Sequence, residues 1–326
     1  MNLYLATSTV RAVGVFAAAI AISSSNAAAQ EPGRTVTIVV PYTAGSAPDI
    51  LARTIGEGLQ QRWSQPVVIE NKPGATGSIG TQAVARAAPD GNTLLLVSNP
   101  FTANVSLLKS VPYDPVKSFA PIVMVATGSL ALVVHPSVPA SSTKEFIEYV
   151  RARPGQLNYS SPGLGGPHHL AMELLKLAAK IDIKHVPYKG MAGAMQDLVG
   201  GHVSAGFQSV QLALPLVQSN QLRMLAVASK DRAGVAPHVP TFLEEGLPVE
   251  IELWFGILAP AGTSSTIVSR YNKEINELIR VAPVAEKLAK QALSVVGGTP
   301  QHFAEFIEQD VVKWQRVVKE AGITAE

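Results

Sequence analysis

Four glycine-rich or turn-rich segments stand directly after predicted strands, and their backbone N–H groups could bind an anion. They are residues 41–49 (PYTAGSAPD), 71–80 (NKPGATGSIG), 160–169 (SSPGLGGPHH) and 187–190 (PYKG). Glycine lets the backbone approach a ligand closely, and the first N–H groups of a helix have no partner within that helix. Ligands of open α/β sheets bind at such strand ends. For any one segment, an ordinary turn between a strand and a helix is the alternative.

A single loop of this kind is too weak to hold a ligand. One exposed helix N-terminus contributes roughly 0.3–1 kcal/mol, whereas micromolar binding requires about 8 kcal/mol. Charge-assisted hydrogen bonds contribute about 1.5–3 kcal/mol each, so two or three loops that meet on one carboxylate could supply enough. We therefore expect the segments to converge on one carboxylate site.

The side chains that could do acid–base or metal chemistry have simpler explanations. His168 and His169 are neighbours, and neighbours on a helix point about 100° apart, so a capping or structural role is favoured over a metal site. Asp49 could be an acid, but a carboxylate in a first helical turn is favourable for structural reasons alone. We interpret Tyr188 as a ligand contact and Lys189 as a solvent-exposed side chain, because adjacent turn residues diverge.

Sequence signatures of several enzyme classes are absent. The sequence contains no GxGxxG, GxxxxGK[ST], GxSxG or HExxH pattern, which argues against the corresponding nucleotide-binding, hydrolase and metalloprotease sites. It contains no cysteine, so disulfides, thiolate metal sites and cysteine nucleophiles are excluded. We expect no cofactor, no metal and no catalytic residue.

Short β-branched runs alternate with helical patterns, which predicts an α/β fold with mainly parallel sheets flanked by helices. We expect two lobes, the second inserted in the first, with crossings near residues 127–132 and 253–257; one continuous doubly wound sheet is the alternative. The predicted strands are residues 35–40, 67–70, 93–98, 122–126, 130–134, 157–160, 183–186, 205–207, 223–228 and 253–258. The predicted helices are residues 49–63, 80–88, 142–151, 168–179, 191–199, 265–280 and 301–321.

Composition fits a folded chain without a nucleic-acid partner. Of 326 residues, 47% are hydrophobic and 15% are charged, and the formal net charge is +2. Such an apolar content is typical of a chain with substantial cores. The sequence has neither a strong positive charge nor a run of Lys and Arg, so it gives no electrostatic reason to expect nucleic-acid binding.

The N-terminal 29 residues have the pattern of a secretory signal peptide. Arg11 precedes an apolar run at residues 13–22, and small residues follow up to Ala29. This is a basic start, a short apolar core and an A-x-A exit. The run is too short to span a bilayer, which requires about 20 residues. We expect cleavage after Ala29 and an exported protein; an uncleaved amphipathic anchor is the alternative.

The order and spacing of these segments resemble the solute receptors of tripartite tricarboxylate transporters, the Bug family. The family patterns P-[FY]-x-x-G-G-x-x-D, E-N-x-P-G-A-x-G, P-D-G-x-T-L and H-V-P-Y-K-G stand at residues 41–49, 70–77, 89–94 and 185–190. The pattern S-x-G-x-G, followed by H-L, begins at Ser161. The resemblance covers roughly residues 36–318.

This resemblance implies a periplasmic binding protein of the two-lobe, type II clamshell fold. Lobe 1 would comprise residues 30–127 and 254–326, and lobe 2 residues 128–253. A hinge would close the cleft on a small carboxylate, and the closed receptor, expected to be a monomer, would dock on a membrane permease. The expected ligand-binding residues are Tyr42, Gly45, Ser46, Ala47, Asp49, Gly74, Ala75, Thr76, Ser98, Ser161, Gly163, Gly165, Gly166, His169, Tyr188, Phe207 and Gln208.

Departures from the family pattern bear on the ligand. Ser46 replaces a glycine, Pro48 replaces a hydroxyl residue, and Gly166 and Pro167 replace hydroxyl residues in the other lobe. Proline has no N–H, so both anion loops would offer fewer donors. This favours a less highly charged ligand, an aromatic or partly apolar monocarboxylate rather than citrate. The alternative is that the prolines stiffen the loops and water supplies the missing bonds.

Three aromatic side chains follow or lie within the predicted strands and loops of the site. Tyr42, Tyr188 and Phe207 could supply flat apolar walls for such a ligand.

The alternatives to a receptor are an exported α/β hydrolase or lyase that uses Asp49, His169 or Tyr188, and a sensor module that presents its ligand to a membrane kinase. Turnover of the ligand separates the enzyme from the receptor.

Overall fold

Strands and helices alternate along the chain in the computed structural model, which describes residues 35–291, 293–320 and 322–323. The predicted signal peptide lies outside the described residues. The strands are β1 Val36–Val40, β2 Val67–Asn71, β3 Thr93–Ser98, β4 Phe119–Val134, β5 Asn158–Ser161, β6 Lys184–Pro187, β7 Ala205–Ser209, β8 Arg223–Val227, β9 Glu252–Pro260 and β10 Leu293–Val295. The helices are α1 Ala47–Trp63, α2 Ser78–Ala85, α3 Pro100–Leu107, α4 Thr143–Arg151, α5 Pro167–Ala179, α6 Met191–Val199, α7 Val210–Gln218, α8 Ser265–Leu278, α9 Ala282–Ala289 and α10 Pro300–Glu320.

The strands pair in the order β2-β1-β3-β9-β4-β7-β5-β6, with β8 and β10 also pairing with β4. Pairing is parallel between β1 and its neighbours β2 and β3, and between β5 and its neighbours β6 and β7. Pairing is antiparallel wherever β4 or β9 takes part. The sheet is therefore mixed and not mainly parallel as predicted, because strand–helix alternation gives no information on the direction of the two strands that join the halves.

Strand β4 changes partners in its middle. Its first part, up to Ser129, pairs with β9, and its last part, from Leu130, pairs with β7 and β8. The sequence predicts two strands, at residues 122–126 and 130–134, because Thr127-Gly128-Ser129 has the composition of a break. The structure has one continuous strand, and this polar stretch lies at the change of partners.

Separate hydrophobic clusters fill the two halves. On the side of β1, Leu51, Ile55 and Leu59 of α1 are fully buried together with strand residues such as Ile38 and Leu94. On the side of β5, Tyr159 packs in a cluster with residues of α4 and α5. These buried faces recur at intervals of three and four residues, the helical spacing from which α1 was predicted. They fix where each helix starts relative to the strand ends.

Most predicted elements are present within two residues of their predicted ends, but α3, α7, α9 and β10 were not predicted. Helix α7 contains Pro215 and begins directly where β7 ends, so neither a turn signal nor an uninterrupted helical pattern marks it. Side-chain caps begin α4 and α10: Ser142 accepts the N–H of Glu145, and Thr299 accepts the N–H of His302. Among the described helices, none combines the length and the apolarity needed to cross a membrane.

Candidate functional site

A cavity of about 580 Å³ lies where the first three glycine-rich loops meet the middle of β4 and the start of β9. Gly128 and Ser129 of β4 and Leu253 and Phe255 of β9 line it. Of the residues expected to bind a ligand, Tyr42, Gly45, Ser46, Ala47, Gly74, Thr76, Ser98 and Gly166 line this cavity. The others, Asp49, Ala75, Ser161, Gly163, Gly165, His169, Tyr188, Phe207 and Gln208, are not among its lining residues.

The cavity wall is uncharged and largely apolar. Among the described residues that line it, none is Asp, Glu, Lys or Arg. Apolar surface comes from side chains such as Ile50, Met191, Leu212, Leu253 and Phe255. A ligand carboxylate in this cavity must therefore be held by hydroxyls, ring or amide groups and backbone N–H groups.

Helices α1, α5 and α7 begin at the cavity. Their N-cap residues are Ser46 of α1, Gly166 of α5 and Ser209 of α7; all three line the cavity, and each has extended φ/ψ. No side chain caps these helices, so their first N–H groups stay available to a ligand. The partial positive charge of each N-terminus favours an anion at the same place. Pro48 and Pro167 remove one N–H from α1 and α5.

Asp49 holds the first loop from behind. Its carboxylate accepts the N–H of Gly45 at 2.9 Å and the side-chain N–H groups of Arg53 at 3.1 Å and Asn71 at 2.9 Å. Burial alone would raise the pKa of Asp49, but these hydrogen bonds and the Arg53 charge hold the pKa below its usual value. Asp49 is 2% exposed and is not a lining residue of the cavity, so it positions the loop; the expected contact of Asp49 with ligand stays a prediction.

The second loop contains strained backbone. Ala75 and Thr76 have φ of 45° and 53°, and Gly74 and Gly77 on either side also have positive φ. For a β-branched residue such as Thr76 this region is a genuine outlier, and non-glycine residues held there cost about 1–3 kcal/mol each and cluster at functional sites. Asn104 of α3 holds the turn by donating its side-chain N–H to the Thr76 carbonyl at 3.0 Å. Helix α3, which was not predicted, thus supports this loop.

Two histidines and a tyrosine lie behind the third loop. His169 Nδ1 accepts the N–H of Gly165 at 3.1 Å. The His169 ring stacks on the His185 ring, with 4.2 Å between the ring centroids. The Tyr159 ring stacks on His185 at 4.8 Å, and Ser161 Oγ lies 2.7 Å from His185 Nε2. Burial lowers the pKa of both histidines to about 4. His169 and Ser161 thus shape the loop through these contacts, and their expected contact with ligand stays a prediction.

Other expected contacts lie in the packed interior or on an adjacent turn. Phe207 is fully buried and packs against Phe242 at 5.7 Å. The Tyr188 hydroxyl donates to Asp197, and burial, aided by that carboxylate, raises the pKa of Tyr188 to about 12. Phe207 and Tyr188 are not lining residues of this cavity, because β7 is covered on both faces and the Tyr188 ring turns towards α6, beside Gly193. That they form walls of the site stays a prediction.

Tyr42 is the expected aromatic residue that does line the cavity. Its hydroxyl oxygen accepts the N–H of Ser98 at 3.3 Å. Burial raises the pKa of Tyr42 to about 12, so the hydroxyl keeps its proton at neutral pH. Tyr42 therefore offers an O–H donor and a flat apolar ring at the cavity wall.

Sequence reasoning missed His168, Gln211 and Gln291 as cavity residues. Burial lowers the pKa of His168 to about 4, and the side chain of Gln211 donates to that of Gln291 at 2.7 Å. For His168 the available signal was its place next to Pro167, which fixes the helix start. Gln211 belongs to the unpredicted α7, so no signal pointed to it. No group of His, Asp and Glu side chains in the described part of the chain is arranged to hold a metal.

Residues 51–323 match the family described as tripartite tricarboxylate transporter family receptor. Protein BugT of Bordetella pertussis is 37% identical over 313 residues, which is 95% of this chain and 96% of that protein. The chain belongs to this receptor family. Two solved structures of family-like proteins support the assignment at the level of the fold.

Rpa4515 of R. palustris, solved with adipate, has a TM-score of 0.82 at 34% identity and matches 90% of this chain and 99% of that chain. MatC of Rhodopseudomonas palustris, solved with bound malate, has a TM-score of 0.77 at 31% identity and matches 87% of this chain and 99% of that chain. The fold is thus the two-lobe α/β fold of periplasmic binding proteins.

Proposed function

We propose that the protein is a periplasmic receptor that captures a small carboxylate in this cavity and delivers it to a tripartite tricarboxylate-type permease. The carrying observation is that α1, α5 and α7 all begin at one cavity whose described wall has no charged side chain. A carboxylate can there replace its hydration by fixed N–H and O–H donors. Membership of the receptor family supports the same role.

We assign the carboxylate to the first loop and its surroundings. The donors are the N–H of Ala47, the hydroxyls of Tyr42 and Ser46, and groups of Ser98 and Thr76, all on cavity-lining residues. The hydroxyl oxygen of Ser46 has no hydrogen-bond partner among the described residues and is buried. Three charge-assisted bonds at about 1.5–3 kcal/mol each come close to the roughly 8 kcal/mol of micromolar binding.

The rest of the wall favours a ligand with one carboxylate and an apolar, preferably aromatic, body. Each further carboxylate would have to leave water without meeting a charged partner, and that desolvation is expensive. Tyr42 and Phe255 supply aromatic surface at the wall. Citrate, with three carboxylates, is disfavoured by the same reasoning. Since relatives were solved with the dicarboxylates adipate and malate, the two classes must be compared directly.

The two lobes are proposed at residues 30–127 with 254–326, and 128–253. The change of partners in β4 at Ser129 and the return of the chain at Glu252, which pairs with Ser129, support boundaries near these positions. Closure would rotate the two sets of loops towards each other about β4 and β9 and shift the population to a closed form. We also propose a monomer, exported through cleavage after Ala29.

We propose that the protein does not turn its ligand over. Asp49, His169 and Tyr188, the candidates for acid–base chemistry, each contact protein groups instead of the cavity. A sensor module would use the same cavity, so the two roles differ in the membrane partner alone. Recovery of the ligand unchanged after prolonged incubation is the check against an enzyme.

The experiment is a thermal-shift screen of the purified protein against citrate, malate, adipate, nicotinate, benzoate and terephthalate. A ligand at about 100 times its dissociation constant adds about 2.7 kcal/mol, which corresponds to several degrees for a protein of this size. A shift with benzoate or nicotinate that exceeds the shift with citrate supports the proposal. No shift with any acid, in protein shown to be folded and ligand-free, would contradict it.

A further inference from the structure

His168 has an unusual position at the start of α5. It lines the cavity and is 8% exposed. Both ring nitrogens, Nδ1 and Nε2, are buried and have no hydrogen-bond partner among the described residues. Its neighbour His169, by contrast, accepts the N–H of Gly165. The fold therefore satisfies one histidine of the pair and leaves the other without a partner, on a residue that lines the cavity.

An imidazole without a hydrogen-bond partner is costly for the free protein. A buried donor or acceptor without a partner destabilises a fold by about 1–3 kcal/mol, and an apolar ring of similar size would avoid that cost. A buried polar group without a partner in a native structure calls for an explanation, and a bound molecule that satisfies the group is one. The place of His168 at the cavity wall makes a bound solute that molecule.

The protonation state of the ring narrows the chemistry of the solute. Burial lowers the pKa of His168 to about 4, so the ring is neutral at neutral pH and carries one N–H donor and one acceptor nitrogen. No Asp, Glu, Lys or Arg is present among the described lining residues to change this charge. A hydroxyl, which both donates and accepts, suits either nitrogen. A carboxylate suits only the N–H and repels the lone pair.

We propose that His168 is a specificity-determining residue that selects a monocarboxylate whose aromatic body carries a hydroxyl group away from the carboxylate. This rests on the proposed function, with the carboxylate at the α1 end of the cavity. The hydroxyl would pair with His168 at the α5 end. The missing bonds of His168 would then be made by the ligand, and acids without a matching hydroxyl would leave them unmade.

Calorimetric titration of the purified protein tests this with benzoate, the three hydroxybenzoate isomers and the corresponding benzenedicarboxylates. We expect at least one hydroxybenzoate to bind roughly tenfold more tightly than benzoate, about the worth of one hydrogen bond. His168→Phe should remove this advantage, so that the same hydroxybenzoate binds no more tightly than benzoate to the variant. His168→Gln, which keeps a donor and an acceptor, should retain part of it. His238→Phe, at an exposed histidine, is the matched control.

The outcomes separate this inference from the proposed function. Benzoate binding without any gain from a hydroxyl, or a gain that survives His168→Phe, overturns the role of His168 and leaves the carboxylate receptor intact. Tighter binding of a benzenedicarboxylate than of the matching hydroxybenzoate overturns it as well. If none of these acids binds, and malate, adipate and citrate do not bind either, both the role of His168 and the proposed function are overturned. The free His168→Phe variant should melt no lower than wild type; a clearly lower midpoint would mean that His168 has a structural role.

Discussion

Acid should destabilise the free protein through His168, and one substitution should remove that effect. The pKa of His168 is lowered by burial from its ordinary value of 6.5 to about 4. Between these two values the unfolded chain binds a proton that the folded protein does not bind. Stability contributed by the neutral ring is therefore complete above pH 6.5 and is lost as the pH falls towards 4.

The size of the effect follows from the two pKa values. At pH 5 the ring is almost fully protonated in the unfolded chain and about one-tenth protonated in the folded protein, which corresponds to about 2 kcal/mol of lost stability relative to pH 7.5. His168→Phe cannot take up this proton. Between pH 7.5 and pH 5, the free energy of unfolding of His168→Phe should therefore rise by about 2 kcal/mol relative to that of wild type.

Urea unfolding of wild type and His168→Phe at pH 7.5, 6 and 5 measures this difference. The carboxyl pKa values of Asp310 and Glu252 are raised mainly by burial and act with the opposite sign, but both proteins share these groups, so their contributions cancel in the comparison. His238→Phe controls for the added aromatic ring. A stability difference between wild type and His168→Phe that stays constant from pH 7.5 to pH 5 would refute the claim that His168 is held neutral in the fold.

Three further substitutions probe the wall of the site and the contacts that support its loops. Asp49→Asn should weaken binding of the preferred acid roughly tenfold and lower the melting midpoint by several degrees, because a buried loop anchor loses its charge; calorimetry and thermal unfolding check both. Gln291→Ala removes the hydrogen bond to Gln211 and should speed ligand dissociation a few-fold in stopped-flow measurements, whereas an unchanged rate would mean that this bond does not hold the ligand in. Gly165→Ala should destabilise by about 1–3 kcal/mol in urea unfolding, because φ is +73° and the new Cβ would lie 2.8 Å from Leu107; wild-type stability would contradict the assigned loop geometry.

The sequence was informative where a local rule decides the structure. Helix α1 was predicted from the spacing of five apolar residues, Ile50, Leu51, Ile55, Leu59 and Trp63. Leu51, Ile55 and Leu59 are fully buried, and Ile50 and Trp63 are half-buried. The first two glycine-rich loops were predicted to meet, and residues of both line one cavity; that a ligand binds there stays a prediction. These successes depend on periodicity and on glycine positions, which act over a few residues.

What the sequence could not provide depends on contacts between distant segments. Strand β4 reads as two strands, since only its separate pairing with β9 and β7 makes it one. His168 and His169 are equivalent as sequence, yet the packing of Tyr159 and His185 takes up one ring and leaves the other at the cavity. From the sequence alone, Phe207 is as suitable as Tyr42 for an aromatic wall of the site. Only the structure shows that both faces of β7 are covered.

The central claim is that backbone N–H groups at the start of α1 hold a carboxylate, and Ala47→Pro tests it most directly. Ala47 is the first helical residue, and Ser46 before it is already extended at φ −72° and ψ 161°, so proline fits without rearrangement. The substitution deletes one N–H and leaves the cavity wall in place.

Calorimetric titration with the tightest-binding acid of the screen is the measurement. We predict that Ala47→Pro keeps the melting midpoint of wild type and weakens binding about 10- to 150-fold, the worth of one charge-assisted hydrogen bond of about 1.5–3 kcal/mol. Unchanged affinity in the folded variant would contradict the account, because the carboxylate would then be held elsewhere.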